Sequence, residues 1–75
     1  MILVMKYAKK VGAFALNGCK VLTEDGVVTV VKVLGCDSES VYAIVSHEGR
    51  HQKRHLGDND EVFADLTETQ FFPRA

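Results

Sequence analysis

The N-terminal segment has the apolar spacing of an amphipathic helix. Its apolar positions recur three and four residues apart along one helix face, at Val4, Tyr7, Ala8, Val11, Phe14 and Ala15. The polar positions on the opposite face are Lys6, Lys9, Lys10 and Asn17. This pattern covers residues 2–16, so we predict a helix over residues 1–17 that stops at Asn17-Gly18. Gly12 costs such a helix about 1 kcal/mol relative to alanine, and the letters ILVMKYA also fit a strand.

From Cys19 onward, the sequence predicts antiparallel strands joined by tight turns. The apolar runs CKVLT and VVTVVKVL flank Glu24-Asp25-Gly26, and Asp-Gly between such runs favours a hairpin because both turn positions need positive φ. A two-residue loop at Asp25-Gly26 would pair Thr23 with Val28 and Val21 with Val30. The residues that would then share one face, and form core, are Cys19, Val21, Val28 and Val30.

The rest of the chain continues the strand pattern. Gly35 ends or bends the long second strand, CDSES is a polar loop, and VYAIVS is a third strand. A loop at residues 56–60 precedes the short strand EVFAD, and we expect Phe71 and Phe72 of the tail to dock on the domain body.

These elements predict a single domain over residues 1–75, of α+β class and mainly β. The N-terminal helix would pack on a small antiparallel sheet, residues 19–75, that curls into a barrel or roll. The pattern of strand and turn residues is similar to that of the Src-homology and Tudor-like barrels, through the segments GCKVLTEDGVVTVVKV and SVYAIVSHEGR. This general similarity identifies no family.

Length and composition indicate a small folded domain. The 75 residues are 47% hydrophobic and 25% charged, with a formal net charge of -1. A chain this short buries only about 60% of its unfolded surface, so self-association would add stability. Two cysteines, Cys19 and Cys36, favour free thiols in a reducing, cytoplasmic setting, and a bridge between them stays an open alternative. No segment approaches the roughly 18–20 apolar residues of a membrane span.

Leu16-Asn17-Gly18-Cys19 resembles a bacterial lipoprotein cleavage box. Two lysines precede an apolar run, as in a secretory signal. The run is only Val11–Leu16, however, whereas the core of such a signal usually has about 7–15 residues. We therefore favour a cytoplasmic protein, and a lipoprotein that begins at Cys19 stays an open alternative.

The segment HEGRHQKRH, residues 47–55, contains the pattern His-Glu-x-x-His and a third histidine. If it were helical, His47, His51 and His55 would stand one turn apart, with neighbouring Cβ atoms about 5–6 Å apart. Three convergent imidazoles could hold zinc through bonds of about 2.0–2.1 Å. The resemblance to the zincin metalloproteases then implies that Glu48 is a general base acting on zinc-bound water.

A hairpin explains the same segment better. With a turn at Glu48-Gly49, the cross-strand pairs would be Ser46 with His51, Ile44 with Lys53, and Tyr42 with His55. His51 and His55 would then lie about 13 Å apart on one face, with His47 on the other. Residues 46–55 contain no apolar side chain, so a helix there would have nothing to bury. We predict a turn and a polar strand without metal or cofactor.

Charge is distributed unevenly along the chain. Residues 1–36 contain five lysines and two acidic residues, whereas residues 37–75 contain four basic and eight acidic residues. The candidate phosphate contacts of a nucleic-acid-binding module are Arg50, Lys53 and Arg54, with the helix residues Lys6, Lys9 and Lys10. Strand alternation would send Lys53 to one face and both arginines to the other. The pI of about 6.3 favours an ordinary solvated face.

We interpret the chain as a small non-enzymatic binding domain that acts through protein–protein contacts, as a regulator or adaptor. An open strand edge, or the tail with Phe71 and Phe72, would bind the partner, and self-association through the same edge is the simplest case. So short a chain has little volume for a small-molecule substrate, and no phosphate loop or serine elbow is present. The alternatives are nucleic-acid binding and, less favoured, a zinc-dependent hydrolase using His47-Glu48-x-x-His51.

Overall fold

A computed structural model describes residues 1–63, which form one six-stranded antiparallel sheet and one α-helix. The elements in chain order are β1 (Ile2–Leu3), α1 (Val4–Val11), a 3-10 turn (Ala13–Leu16), β2 (Lys20–Thr23), β3 (Gly26–Cys36), β4 (Val41–His47), β5 (Arg50–Leu56) and β6 (Glu61–Val62). Across the sheet the strands lie in the order β1-β6-β2-β3-β4-β5. The predicted mainly β class with an N-terminal helix is confirmed.

Helix α1 is shorter than the helix predicted over residues 1–17. Its first N–H, on Val4, donates to the Asp60 carbonyl at 2.9 Å, which gives the start of the helix a partner outside it. Gly12 follows with φ 94° and ψ 146°, so the chain leaves the helix there and resumes as the 3-10 turn. This break rotates Phe14 out of the predicted apolar stripe. The Phe14 side chain is 67% exposed, whereas Leu16 is buried.

The β2–β3 hairpin has a different register from the predicted one. The observed pairs are Thr23 with Gly26 and Val21 with Val28. The two-residue loop is therefore Glu24-Asp25. The Thr23 hydroxyl stabilises it, because this hydroxyl donates to the Gly26 carbonyl at 2.8 Å and accepts the Asp25 N–H at 3.2 Å. Gly26 carries the positive φ, 109°. A shift by two positions keeps every side chain on its face, so the predicted core face is confirmed, with Val21, Val28 and Val30 buried and Cys19 half-buried.

Strand β3 bends where it pairs with β4. The register shifts lie between Val30 and Lys32 and between Val33 and Gly35. Val31 and Leu34 are the extra residues, and such bulges bend a strand and increase its twist, as predicted near Gly35. Part of the β3 edge extends past the start of β2, and there Asn17, the residue after the 3-10 turn, takes the place of a paired strand: its Oδ1 accepts the Val33 N–H at 2.7 Å.

The two faces of the sheet differ in what covers them. We call the face that packs against α1 the inner face; its β4 residues are Val41, Ala43 and Val45. The buried core on this face consists of Val4, Met5, Tyr7, Leu16, Val21, Val28, Val30, Val33, Val41, Ala43, Val45, Leu56 and Val62. The opposite, outer face carries the half-buried β4 residues Tyr42, Ile44 and Ser46.

Within residues 1–63 the sheet is open, with β1 and β5 at its two edges. A closed barrel or roll is therefore not confirmed. Edge strand β1 has two residues, whereas β5 has seven. No helix in this part of the chain has the length and apolar character needed to cross a membrane.

Candidate functional site

The β4–β5 hairpin has the predicted register. The observed pairs include Ser46 with His51, Ile44 with Lys53, and Tyr42 with His55. The turn residues Glu48 and Gly49 have positive φ values of 52° and 80°, as a two-residue turn that matches the twist of its strands requires. The predicted turn and polar strand are therefore confirmed.

The three histidines do not converge. His51 and His55 lie on the outer face four residues apart, about 13 Å along a strand, while His47 lies on the inner face. Zinc bonds of about 2.0–2.1 Å would require all three rings to reach one ion. Among the described residues, no group of three His, Cys, Asp or Glu side chains is placed to hold a metal. The helical arrangement that the zinc-hydrolase hypothesis needs is not formed.

Strand β5 pairs with β4 on one side and with no other strand of residues 1–63. In a two-residue hairpin the pair that flanks the turn, here His47 and Arg50, exchanges both backbone hydrogen bonds. The alternation that follows directs the N–H and C=O groups of His51, Lys53 and His55 away from β4. We call this row of backbone groups the β5 edge. It runs in unbroken register from Arg50 to Leu56.

The side chains of β5 divide between the two faces. Those on the outer face are His51, Lys53 and His55, and those on the inner face are Arg50, Gln52, Arg54 and Leu56. His55 is held in place by its neighbours: its Nδ1 lies 3.2 Å from Ser40 Oγ, and its ring centroid lies 4.6 Å from that of Tyr42. Lys53 and the two arginines therefore point to opposite faces, as strand alternation predicted.

Arg54 makes a contact within the domain that the sequence did not reveal. Its Nη1 donates to Asp25 Oδ2 at 2.7 Å, which joins β5 to the β2–β3 turn. The Arg54 side chain is only 19% exposed, against 57% for Asp25. The buried Arg54 Nε has no hydrogen-bond partner among the described residues. Arg54 therefore helps to hold the curved sheet together and contributes little to an external basic patch.

A cleft of about 390 Å³ lies between the last residues of β5 and the end of β2. Its charged lining residues are Glu24, Arg54, Asp58, Asp60 and Glu61, and His55 also lines it. Asp60 Oδ2 accepts the Gly57 N–H at 2.9 Å, which fixes the loop beside the cleft. Because Arg54 is already paired with Asp25, the carboxylates give the cleft a negative character. The sequence showed the acidic run at residues 58–61 but not that Glu24 joins it.

The six cations predicted to bind nucleic acid are not gathered on one surface. The helix residues Lys6, Lys9 and Lys10 are exposed on α1, which packs on the inner face. Lys53 lies on the outer face, so the sheet separates it from them. Arg50 is exposed on β5, and Arg54 is bound to Asp25. Phe71 and Phe72, the predicted tail contacts, lie outside the described residues.

Both cysteines are free thiols. Cys19 is half-buried, and its Sγ donates to the Ala15 carbonyl at 3.4 Å. Burial raises the pKa of the Cys19 thiol above its ordinary value, and a hydrogen bond with Tyr7 acts in the opposite direction. The reactive thiolate is therefore disfavoured at Cys19.

The chain matches no protein-family model, and neither a curated protein sequence nor a solved structure matches it. Among the described residues, the features that bear on function are the β5 edge, the charges along it and the cleft at its end.

Proposed function

We propose that this domain is a non-enzymatic binding module that recognises a partner protein by adding one of the partner's strands to the β5 edge. The observation that carries the proposal is a seven-residue edge strand in regular register, with three outward-directed backbone N–H and C=O pairs. Strand addition gains affinity from such main-chain hydrogen bonds and specificity from alternate side chains. The other edge, β1, has two residues and offers much less.

The distribution of cations favours a protein partner over nucleic acid. Binding to a phosphate backbone needs several cations on one continuous surface. Here the lysines of α1 and Lys53 lie on opposite sides of the sheet, and Arg54 is neutralised by Asp25. Arg50 and Lys53 therefore remain as the exposed cations of β5. Two cations are enough to attract acidic side chains of a peptide strand.

Pairing of the β5 edge with a second copy of itself is disfavoured by charge. Strand β5, with the sequence RHQKRHL, contains three basic residues and no acidic residue. An antiparallel pairing centred on Lys53 would place that lysine opposite its own copy, and like charges directly opposite one another are destabilising. Lysine on an edge strand also protects against aggregation. We therefore favour a different protein as the partner, in the cytoplasm, where free thiols are ordinary.

A matched pair of variants tests strand addition. Lys53→Pro removes the outward N–H of residue 53, and proline is tolerated where an edge N–H faces solvent. Lys53→Ala removes the same charge but keeps the N–H. Peptides selected from a random display library on the wild-type domain are then measured on both variants by calorimetry, with circular dichroism to show that each is folded.

We expect the selected peptides to bind Lys53→Pro at least tenfold more weakly than Lys53→Ala. We also expect bound peptide to slow hydrogen exchange at the amides of His51, Lys53 and His55. Equal affinity for the two variants, or failure to select any peptide, would contradict the proposal. Salt-sensitive binding of a mixed-sequence single-stranded oligonucleotide, lost in a variant without Arg50 and Lys53, would support nucleic-acid binding instead.

A further inference from the structure

We infer that the strand recognised by the β5 edge has a defined order of charges, with acidic side chains beside the turn end of β5 and a basic side chain at its other end. This inference rests on the proposed function and adds the chemistry of the partner. It follows from the different charges found at the two ends of the same edge.

The turn end of the edge is basic. Arg50, His51 and Lys53 are all exposed, and the two outer-face members, His51 and Lys53, stand two residues apart. In an added strand, the residues directly opposite them would have Cβ atoms about 4.5–5.5 Å away, close enough for cross-strand charge pairs. Glu48 lies in the turn itself, beyond the last pair of the ladder, so it does not face an added strand.

The other end of the edge is acidic. There β5 runs into the cleft, whose carboxylates belong to Glu24, Asp58, Asp60 and Glu61. The nearest cation, Arg54, is turned to the inner face and bound to Asp25 at 2.7 Å. A carboxylate of the partner at this end would be repelled, whereas an ammonium or guanidinium group would be attracted.

Strand direction converts this arrangement into a sequence order. All pairings of the sheet are antiparallel, and antiparallel pairing is slightly more stable per residue than parallel pairing. An antiparallel strand on β5 begins at the cleft and ends at the turn. The partner segment therefore has its basic residue first. In the partner's own N-to-C direction, the basic residue stands opposite Gly57 at the cleft. The first acidic residue comes four positions later, opposite Lys53, and the second comes two positions after that, opposite His51.

Short synthetic peptides of identical composition test this order. The forward peptide has blocked termini and a sequence of alternating threonine and valine into which three charged residues are placed. A lysine comes first, a glutamate stands four positions after it, and a second glutamate stands two positions after the first. The reversed peptide has the same residues in the opposite order. A third peptide repeats the forward sequence with methyl groups on the backbone nitrogens that would pair with β5. Affinities are measured by calorimetry, and amide signals of the domain are followed by NMR.

We expect the forward peptide to bind roughly tenfold more tightly than the reversed one, since reversal removes the glutamate opposite Lys53 and places a glutamate, in the position of the lysine, beside the cleft carboxylates. It should protect the amides of His51, Lys53 and His55, and a spin label at its N-terminus should broaden signals near Gly57 and leave those near Arg50 sharp. The methylated peptide should not bind.

The possible failures are distinguishable. Equal affinity of forward and reversed peptides, with the β5 amides protected by both, would overturn the charge order and leave strand addition intact. Absence of protection with every peptide would overturn both the charge order and the proposed function. Concentration-dependent protection of the same amides without peptide would show that a second copy occupies the edge, which also contradicts both.

Discussion

Removing the Asp25 carboxylate tests whether Arg54 holds β5 against the β2–β3 turn. At the observed separation of 2.7 Å, Coulomb attraction between unit charges is about 1.5 kcal/mol in water and about 6 kcal/mol at an effective dielectric constant of 20. Asp25 is 57% exposed, so solvent screening brings the value towards the lower figure. Ordering the two side chains reduces it further. We therefore expect a coupling free energy of about 1 kcal/mol between the two residues.

The measurement is a double-mutant cycle with Asp25→Asn, Arg54→Met and the double variant. Free energies of unfolding come from urea titrations followed by circular dichroism. Asp25→Asn alone should be destabilising, because it leaves a mostly buried guanidinium without its carboxylate. Glu24→Gln is the matched control, since it removes a neighbouring carboxylate of the same turn. A coupling below about 0.3 kcal/mol, or an equal effect of the control, would refute the reasoning.

Two further predictions concern the turns. Gly49→Ala should lower the free energy of unfolding by about 1–2 kcal/mol, because Gly49 has φ 80°, a conformation that is unfavourable for alanine. An added Cβ would meet no atom within 4 Å, so the cost is conformational and not steric. Denaturant unfolding of this variant measures the cost, and an unchanged midpoint would show that the turn relaxes without strain. The backbone N–H groups of Glu39 and Ser40 donate to Asp37 and lower the pKa of its carboxyl. A lowered folded-state pKa stabilises the fold above the ordinary pKa of aspartate, about 3.9, and the contribution is lost as pH falls through the lower folded value. Asp37→Asn should therefore reduce stability at pH 7 and have less effect near pH 2, whereas a difference that grows on acidification would contradict the assigned hydrogen bonds.

The parts of the fold that follow from local chemistry could be predicted from the sequence. Strand β4 is rich in β-branched and aromatic residues, and Glu48-Gly49 suits a turn with two positive φ values, so the β4–β5 register was predictable pair by pair. The β2–β3 register was not, because Asp25-Gly26 looks like the loop until the Thr23 hydroxyl is seen to bond across it. Phe14 was misplaced for a similar reason, since helical periodicity cannot show that Gly12 ends the helix.

The long-range parts of the site could not be predicted. Arg54 and Asp25 are 29 residues apart, and nothing in either local segment indicates their contact, which depends on the curvature that the β3 bulges give to the sheet. The cleft was equally hidden, since Glu24 joins the acidic run at residues 58–61 through the pairing of β2 with β6, in which Leu22 stands opposite Glu61. The charges of β5 and their division between two faces were visible in the sequence, but the ion pair of Arg54 with Asp25 was not.

Strand β6 lies between β1 and β2, and this has a consequence for how the protein is made. Ile2 pairs with Val62, and the first N–H of α1 bonds to the Asp60 carbonyl. During translation, the N-terminal strand and the start of the helix have no docking site until residue 62 has left the ribosome, whereas the β2–β3 and β4–β5 hairpins close over short spans. The pairing of β1 and the hydrogen bond at the start of α1 therefore depend on the late arrival of a two-residue strand.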